Sequence, residues 1–132
     1  MNFNRSTLSV DGFVDLGEFT PKDGGTKLAD HALVFMFRPL CGSWVQTIRC
    51  FLTKGNATLS HLLLEAVTLL ENAGLRVDGV VCDGATWNRM MWKKFGIDAN
   101  NSSCEHPTDP TRRLWFFFGL VPSNKKYEKF YD

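Results

Sequence analysis

The sequence predicts a mixed α/β fold in which an antiparallel hairpin comes first and parallel strands joined by helices come later. Three observations support this prediction. Two β-rich runs, 32–37 and 44–52, are separated by a short loop and should pair as a hairpin. A helical repeat of apolar residues then covers 59–73. Beyond it, strand candidates at 77–82 and 114–118 flank a second helix, and a strand–helix–strand order favours parallel pairing.

The composition is that of a globular protein. The chain has 132 residues, of which 44% are hydrophobic and 13% aromatic, so we expect one domain with a real core. The net charge is +1, with no basic surplus, so a contact with nucleic acid would need a local patch or another domain. No apolar run is as long as a membrane span, and the first residues are not typical of a signal peptide.

The first strand candidate covers roughly 8–16, with Asp11 and Asp15 on one face and Val14 and Leu16 on the other. The run 32–37 is apolar on both faces, which predicts a central, buried strand.

Glycine and threonine positions predict where the two helices begin and end. Gly74 follows the 59–73 repeat, where a left-handed C-terminal cap is expected. Thr86 is expected to cap the second helix, and Gly96 to end it. The predicted apolar side of that helix consists of Trp87, Met90, Met91 and Phe95. Residues 98–112 are polar and rich in Asn, Ser and Pro, so we expect a connection there.

The sharpest local feature is Asp83, which follows the strand candidate 77–82 and precedes a helix. In open α/β sheets, ligands bind at the carboxyl ends of the strands. A carboxylate there could hold a divalent metal ion for phosphoryl transfer. The alternative is that Asp83 only accepts hydrogen bonds from turn and helix-start amides, and such turns are common. On pattern alone the second interpretation is favoured.

Other candidate metal ligands have simpler explanations. Asp11, Asp15 and Glu18 cluster near the first strand, where a solvated strand face accounts for the two aspartates. Cys104 and His106 suggest zinc, but no partner pair has the spacing of a zinc finger.

The second helix mixes aromatic residues with positive charge, a combination that binds nucleic acid by stacking and charge. An amphipathic helix with a basic outer side predicts the same residues, and we favour it. The residues are Trp87, Arg89, Trp92, Lys93 and Lys94.

Several stretches resemble the RNase H-like domain of P element-type transposases, the family often fused to an N-terminal THAP zinc finger. Together they cover most of residues 11–117, and the stretches DGATWNR and CEHPTDPTRRLWF are specific in combination. The stretches are DGFVDLG, LADHALVFMFRPL, WVQTIRCFLTKGNA, LLLEAVTLLENAGL, VVCDGATWNRMMWKKFGI and SCEHPTDPTRRLWF.

The resemblance implies a cut-and-paste transposase that cuts and joins DNA strands with Mg²⁺ held by acidic residues. It also implies a nuclear protein, a separate DNA-binding finger and, in part of the family, an inserted GTP-binding domain. Asp83 aligns with the family's second catalytic Asp, so the resemblance makes Asp83 a catalytic and metal-binding residue. No other residue is carried over.

Departures from the family pattern lead to further expectations. The family's first catalytic Asp lies upstream of the region where this chain starts, and its late catalytic Glu has no counterpart here. We therefore expect a partial RNase H-like domain over 1–118, incomplete at both ends, and a divergent polar tail over 119–132. We also expect that the chain does not cleave DNA by itself.

Two other functions stay open at this point. One is a domesticated protein-interaction module that binds or regulates transposase subunits. The other is an unrelated small α/β nuclease or nucleotide-binding domain, which predicts a complete acidic cluster around Asp83.

Overall fold

The computed structural model describes residues 2–4, 9–11, 15–20, 22, 27–54 and 59–119. The chain divides into two compact units, 1–58 and 59–132, and each is described by itself. No helix in the described part of the chain is long and apolar enough to cross a membrane.

The described residues of the first unit form two antiparallel strand pairs. Strand β1 (Asn2–Asn4) pairs with β2 (Ser9–Asp11), and β3 (His31–Phe37) pairs with β4 (Gln46–Thr53). The predicted strand over 8–16 is therefore only partly correct, because β2 covers its first part and Asp15 forms an isolated bridge with Leu52. Residues 12–14, including Val14, lie outside the described residues.

The β3–β4 pair confirms the predicted hairpin, but the prediction of a central, buried strand is wrong. Within the described residues β3 pairs with β4 and with no second strand. Val34 is 44% exposed and Met36 is 62% exposed, while Phe51 and Leu52 are buried. The apolar run predicted burial on both faces, but strand burial is set by what packs on each face.

The second unit contains the parallel part of the predicted fold. Its elements are α1 (Leu59–Asn72), β5 (Gly79–Cys82), α2 (Thr86–Lys94), β6 (Ser103–His106) and β7 (Asp109–Phe118). The sheet order is β5-β7-β6. Strand β5 pairs with β7 in parallel and β6 pairs with β7 antiparallel, which confirms a mixed sheet with helices.

The two faces of this sheet differ sharply in burial. Leu114 is 0% exposed and Phe116 is 6% exposed, and the Phe95 ring lies 5.3 Å from the Phe116 ring between centroids. Trp115 and Phe117 alternate with these residues along β7 and are 44% and 52% exposed. Alternating strand side chains point to opposite faces, so one face is core and the other is open.

Both helices end at a glycine in the left-handed region, as predicted. Gly74 has φ 83° and Gly96 has φ 70°. The Leu75 N–H donates to Leu70 O at 2.9 Å, and the Ile97 N–H donates to Trp92 O at 2.9 Å. These six-residue bonds are those of a Schellman motif, which a residue with positive φ makes possible.

The start of α2 corrects a prediction, because Thr86 is the first helical residue rather than the cap. The residue before the helix is Ala85, and no side-chain capping bond is made at that position. The Ala85 N–H donates instead to the Asp83 carboxylate at 3.0 Å. The aspartate therefore organises the turn that leads into the helix.

The predicted polar connection over 98–112 is also wrong, because β6 and the first part of β7 lie within it. His106 pairs with Asp109 across a turn at residues 107 and 108. The polar composition hid these strands, because β6 and the first part of β7 form by pairing within the sheet rather than from local preference.

Candidate functional site

Asp83 is the first residue after β5, and the backbone on either side of β5 is tied to β7. The Trp115 N–H donates to Asp78 O at 3.1 Å before the strand, and the Gly119 N–H donates to Cys82 O at 2.9 Å at its end. Asp83 is exposed, so a carboxylate is held on a fixed backbone at the carboxyl end of a strand.

One oxygen of the Asp83 carboxylate is fixed by two donors. Oδ1 accepts the Ala85 N–H at 3.0 Å and the Asn88 side-chain amide at 2.7 Å. The same Asn88 nitrogen donates to the Asp83 carbonyl at 3.2 Å. Asn88 is only 8% exposed, so its position within α2 is set by packing. No hydrogen bond to Oδ2 is found among the described residues.

The Asp83 carboxylate accepts a hydrogen bond from a turn amide, as the simpler of its two interpretations predicts. This bond does not exclude a metal ion, because it uses one oxygen and leaves the second one open. Sequence analysis did not identify Asn88 as a partner. Asn88 could have been identified from its position, because it lies five residues after Asp83 and in the first turn of the predicted helix.

The described residues do not assemble a complete metal site. Among them, no group of three His, Cys, Asp or Glu side chains converges. Asp15 and Glu18 are exposed in the first unit, and the Asp15 Oδ1 accepts the Gly17 N–H at 3.0 Å. Only the backbone of Asp11 is described, in β2. Among the described residues Asp83 therefore offers a single carboxylate to a divalent ion. The other oxygen ligands of a Mg²⁺ ion, commonly waters and substrate phosphates, would come from outside this set.

The side-chain burial along α2 confirms the predicted amphipathic helix. Met91 and Trp92 are 4% and 7% exposed, whereas Met90 is 47% exposed. Trp92 therefore takes the buried place that the prediction gave to Met90, and its ring is not available for stacking on a base. Lys93 and Lys94 are exposed on the last turn, where positive charge interacts favourably with the helix dipole.

His106 has a structural role rather than a metal-binding one. It is 2% exposed, and its Nδ1 accepts the Thr108 N–H at 3.3 Å. The ring proton therefore lies on Nε2, which donates to Val77 O at 2.9 Å. Both ring nitrogens of His106 are therefore engaged in hydrogen bonds within the protein.

A second polar cluster, around Arg112, was not predicted from the sequence. The Arg112 guanidinium donates to both carboxylate oxygens of Glu71, at 3.0 and 3.1 Å. It also donates to Asp78 Oδ1 at 3.0 Å and to Val77 O at 3.2 Å. This Arg112 cluster, made of Glu71, Val77, Asp78 and Arg112, joins the end of α1 to the start of β5 and to β7.

The Arg112 cluster favours the charged carboxylates. Hydrogen bonds from Arg112 hold the pKa of Glu71 below its ordinary value. Hydrogen bonds from Arg76 and then from Arg112 lower the pKa of Asp78. Side chains alternate along a strand, so Arg112 lies on the same face of β7 as the buried Leu114. A charge on a buried face needs a partner, and this was the sequence signal for the cluster.

Comparisons with known proteins agree with this fold. A family model described as TNP-like, RNase H N-terminal domain matches residues 1–96. A solved structure, the Drosophila P element transposase strand transfer complex, is similar with a TM-score of 0.64 and 21% sequence identity. The similarity covers 84% of this chain and 24% of that chain. No curated protein matches in sequence.

The structural likeness confirms the predicted RNase H-like mixed α/β fold, and the two findings together confirm the predicted relationship to P element-type transposases. The family match includes β5, Asp83 and α2. Because that match covers residues 1–96 of the 132, the chain belongs to the TNP-like, RNase H N-terminal domain family.

Proposed function

We propose that this chain supplies part of the catalytic domain of a P element-type cut-and-paste DNA transposase, with Asp83 as a metal-binding catalytic carboxylate. The observation that supports this most directly is the geometry of Asp83. Its exposed carboxylate leaves the carboxyl end of a strand whose ends are bonded to β7. Ligand sites of α/β sheets form at this edge.

Asn88 acts as a positioning residue in this proposal. Its amide fixes Oδ1 at 2.7 Å, so the carboxylate plane is set before a metal ion arrives. Such outer partners orient metal ligands and raise affinity. When bound, Mg²⁺ would stabilise the charge that develops on a phosphate and on the attacking oxygen.

The remaining carboxylates of the site must come from outside the described residues. Two-metal chemistry requires several acids that converge, and Asp83 provides one. We therefore propose that the chain does not cleave DNA in isolation. In the proposed complex it acts on transposon ends, together with other parts or other subunits of the transposase, in the nucleus.

DNA strand cleavage tests the role of Asp83. The assay would use the complete transposase that contains this domain, as wild type and as Asp83→Asn. We expect the variant to lose about 100-fold or more of the cleavage rate while it still binds DNA. Asp98→Asn is the matched control, because Asp98 is also an exposed aspartate whose Oδ1 accepts two backbone amides, from Asn100 and Asn101.

Cleavage by Asp83→Asn at the wild-type rate would contradict the catalytic role. A second assay tests the need for other acids. If the purified chain nicked plasmid DNA with Mg²⁺, and Asp83→Asn abolished the nicking, the proposal that it is silent in isolation would be wrong.

A second candidate function is a protein-interaction module that binds transposase subunits. The observation that favours it is the exposed apolar surface of the first unit, where Met36 is 62% and Leu40 is 92% exposed. Exposed apolar patches mark interaction sites in soluble proteins. Two results together would favour this function over the first. The chain would bind a transposase subunit and lose this binding in Met36→Asp, and the Asp83→Asn transposase would cleave DNA normally.

A further inference from the structure

The open face of the β5-β7-β6 sheet carries two exposed aromatic rings on one strand. Trp115 is 44% exposed and Phe117 is 52% exposed, and both lie on β7, which runs between β5 and β6. Alternation along the strand places the two rings on the same face, opposite the buried Leu114 and Phe116. The middle of this face therefore presents two aromatic side chains to solvent.

Gly79 allows the Phe117 ring to lie along the sheet. A Cβ at Gly79 would be 2.9 Å from Phe117 Cε2 and 3.4 Å from Phe117 Cδ2. Phe117 pairs with Val81 across the parallel ladder, so its ring leans back diagonally to reach the glycine. The ring fills the space of the missing side chain. Because it is half exposed, its outer surface is open to a ligand.

Arg113 adds a fixed positive charge to the same face, two residues before Trp115. Its Nε donates to Ser103 Oγ at 3.1 Å, and a terminal guanidinium nitrogen donates to Ser103 O at 2.7 Å. Ser103 pairs with Trp115 in the β6–β7 ladder, so these bonds draw the guanidinium towards the indole. The guanidinium has further N–H groups that can donate to a phosphate oxygen. We call Arg113, Trp115 and Phe117 the aromatic platform.

The chemistry of the aromatic platform fits unpaired nucleotides. Exposed aromatic rings on an open sheet bind bases by stacking, and arginine contributes contacts to bases and phosphates. Trp115 and Phe117 are about 7 Å apart along β7. That is about twice the 3.4 Å rise per nucleotide along one strand of duplex DNA. Consecutive bases therefore reach both rings only when the strand is extended and its bases are unpaired.

We propose that the aromatic platform binds single-stranded DNA, with one base on Trp115, the next base on Phe117 and a phosphate beside Arg113. The choice of DNA over RNA rests on the proposed function, whereas the preference for an unpaired strand rests on the rings. Stacking requires no metal ion, so this binding is separable from the role of Asp83.

Glu105 limits the affinity of the site. It pairs with Arg113 in the β6–β7 ladder and is exposed, so its carboxylate lies on the same face as the aromatic platform. A carboxylate there repels the phosphates of a bound strand. Glu105→Gln should therefore strengthen binding by about threefold at low salt, a change of the size that one exposed charge produces.

Fluorescence anisotropy of a labelled DNA strand of about 12 nucleotides, titrated with the full chain, tests the proposal. The titrations contain EDTA, so that a metal ion at Asp83 makes no contribution. We expect saturable binding, and we expect Trp115→Leu and Phe117→Leu each to weaken it by about tenfold, because leucine keeps the apolar surface and removes the ring. The matched control is Trp44→Leu, which removes a tryptophan of similar exposure, 49%, from the first unit and should keep the wild-type affinity.

The dependence on salt tests the charge. Between about 50 and 200 mM salt the affinity should fall, and Arg113→Gln should lower the slope of log affinity against log salt by about 0.7, the value for one phosphate contact with a single strand.

Four results would overturn the proposal. The first is no saturable binding by the wild type, and the second is a duplex of the same sequence bound as tightly as the single strand. The third is an equal loss of affinity in Trp44→Leu and Trp115→Leu. The fourth is tighter binding of the same sequence as RNA, which would contradict the assignment to DNA. The comparison of single strand with duplex uses the wild type, so it decides the question even if a variant fails to fold.

Discussion

Replacing Asn88 with alanine removes the contacts that position Asp83. The Asn88 amide donates at 2.7 Å to a carboxylate oxygen and at 3.2 Å to a carbonyl oxygen of the same residue. A hydrogen bond to a charged group contributes about 1.5–3 kcal/mol, and one between neutral groups about 1 kcal/mol. Because Asp83 is exposed and water can replace the lost donor, we expect a loss of about 2 kcal/mol.

Helix propensity offsets part of this loss. Alanine is favoured over asparagine within a helix by about 0.5 kcal/mol, which leaves a net destabilisation of about 1.5 kcal/mol for Asn88→Ala. Urea unfolding followed by circular dichroism and tryptophan fluorescence measures this change. The matched control is Asn101→Ala, which removes one bond, at 2.8 Å to Gly96 O, from an exposed side chain. We expect it to cost about 0.5 kcal/mol.

The comparison between the two variants decides whether the reasoning is correct. Equal unfolding free energies for Asn88→Ala and the wild type would mean that the Asn88 amide does not hold Asp83. Asn88→Asp sharpens the test, because it places a second carboxylate against the Asp83 oxygen. It should be less stable than Asn88→Ala at neutral pH and should regain stability when the pH is lowered.

Three further predictions concern the second unit. Leu114→Ala should lower the unfolding free energy by about 4 kcal/mol, because Leu114 is 0% exposed, whereas Leu69→Ala at a 51% exposed residue should cost about 1 kcal/mol. Gly74→Ala should cost about 1–2 kcal/mol in the same urea assay, since Gly74 has φ 83°. Arg112 lowers the pKa of Glu71, so the stability that this pair provides is present above the unfolded pKa of about 4.5 and is lost as the pH falls through the lower folded pKa. The urea unfolding midpoint of the wild type should fall between pH 7 and pH 3, and Glu71→Gln should remove the part of this fall that the Glu71–Arg112 pair causes. A wild-type midpoint that does not change with pH would contradict this role of the pair.

Local patterns were sufficient for the elements that depend on local interactions. The apolar repeat over 59–73 predicted α1, which covers Leu59–Asn72, and Gly74 and Gly96 end the two helices as predicted. The β3–β4 hairpin was readable because two β-rich runs flank a short loop. The helix contacts lie within five residues along the chain, and the hairpin strands follow each other directly with residues 38–45 between them.

The elements that failed depend on contacts distant in sequence. Strand β6 is polar and forms by pairing with β7. Arg112 was assigned to a connection, but it lies on a strand and bonds to Glu71, 41 residues away. No local sequence pattern predicts the pairing of Arg112 with Glu71. Asp83 was identified correctly as an exposed carboxylate at a strand end, whereas its partner Asn88 became visible only once α2 was placed against the turn.

The measurement that tests the central claim most directly is a Mn²⁺ titration of this chain, followed by NMR. Mn²⁺ takes the same oxygen ligands as Mg²⁺ and broadens signals near the place where it binds. We predict that the amides of Asp83, Gly84 and Ala85 broaden at the lowest Mn²⁺ concentration and that Asp83→Asn abolishes this effect, whereas Asp98→Asn leaves it unchanged. Broadening around Asp83 no stronger than around Asp98 would contradict the claim that Asp83 is a metal-binding carboxylate.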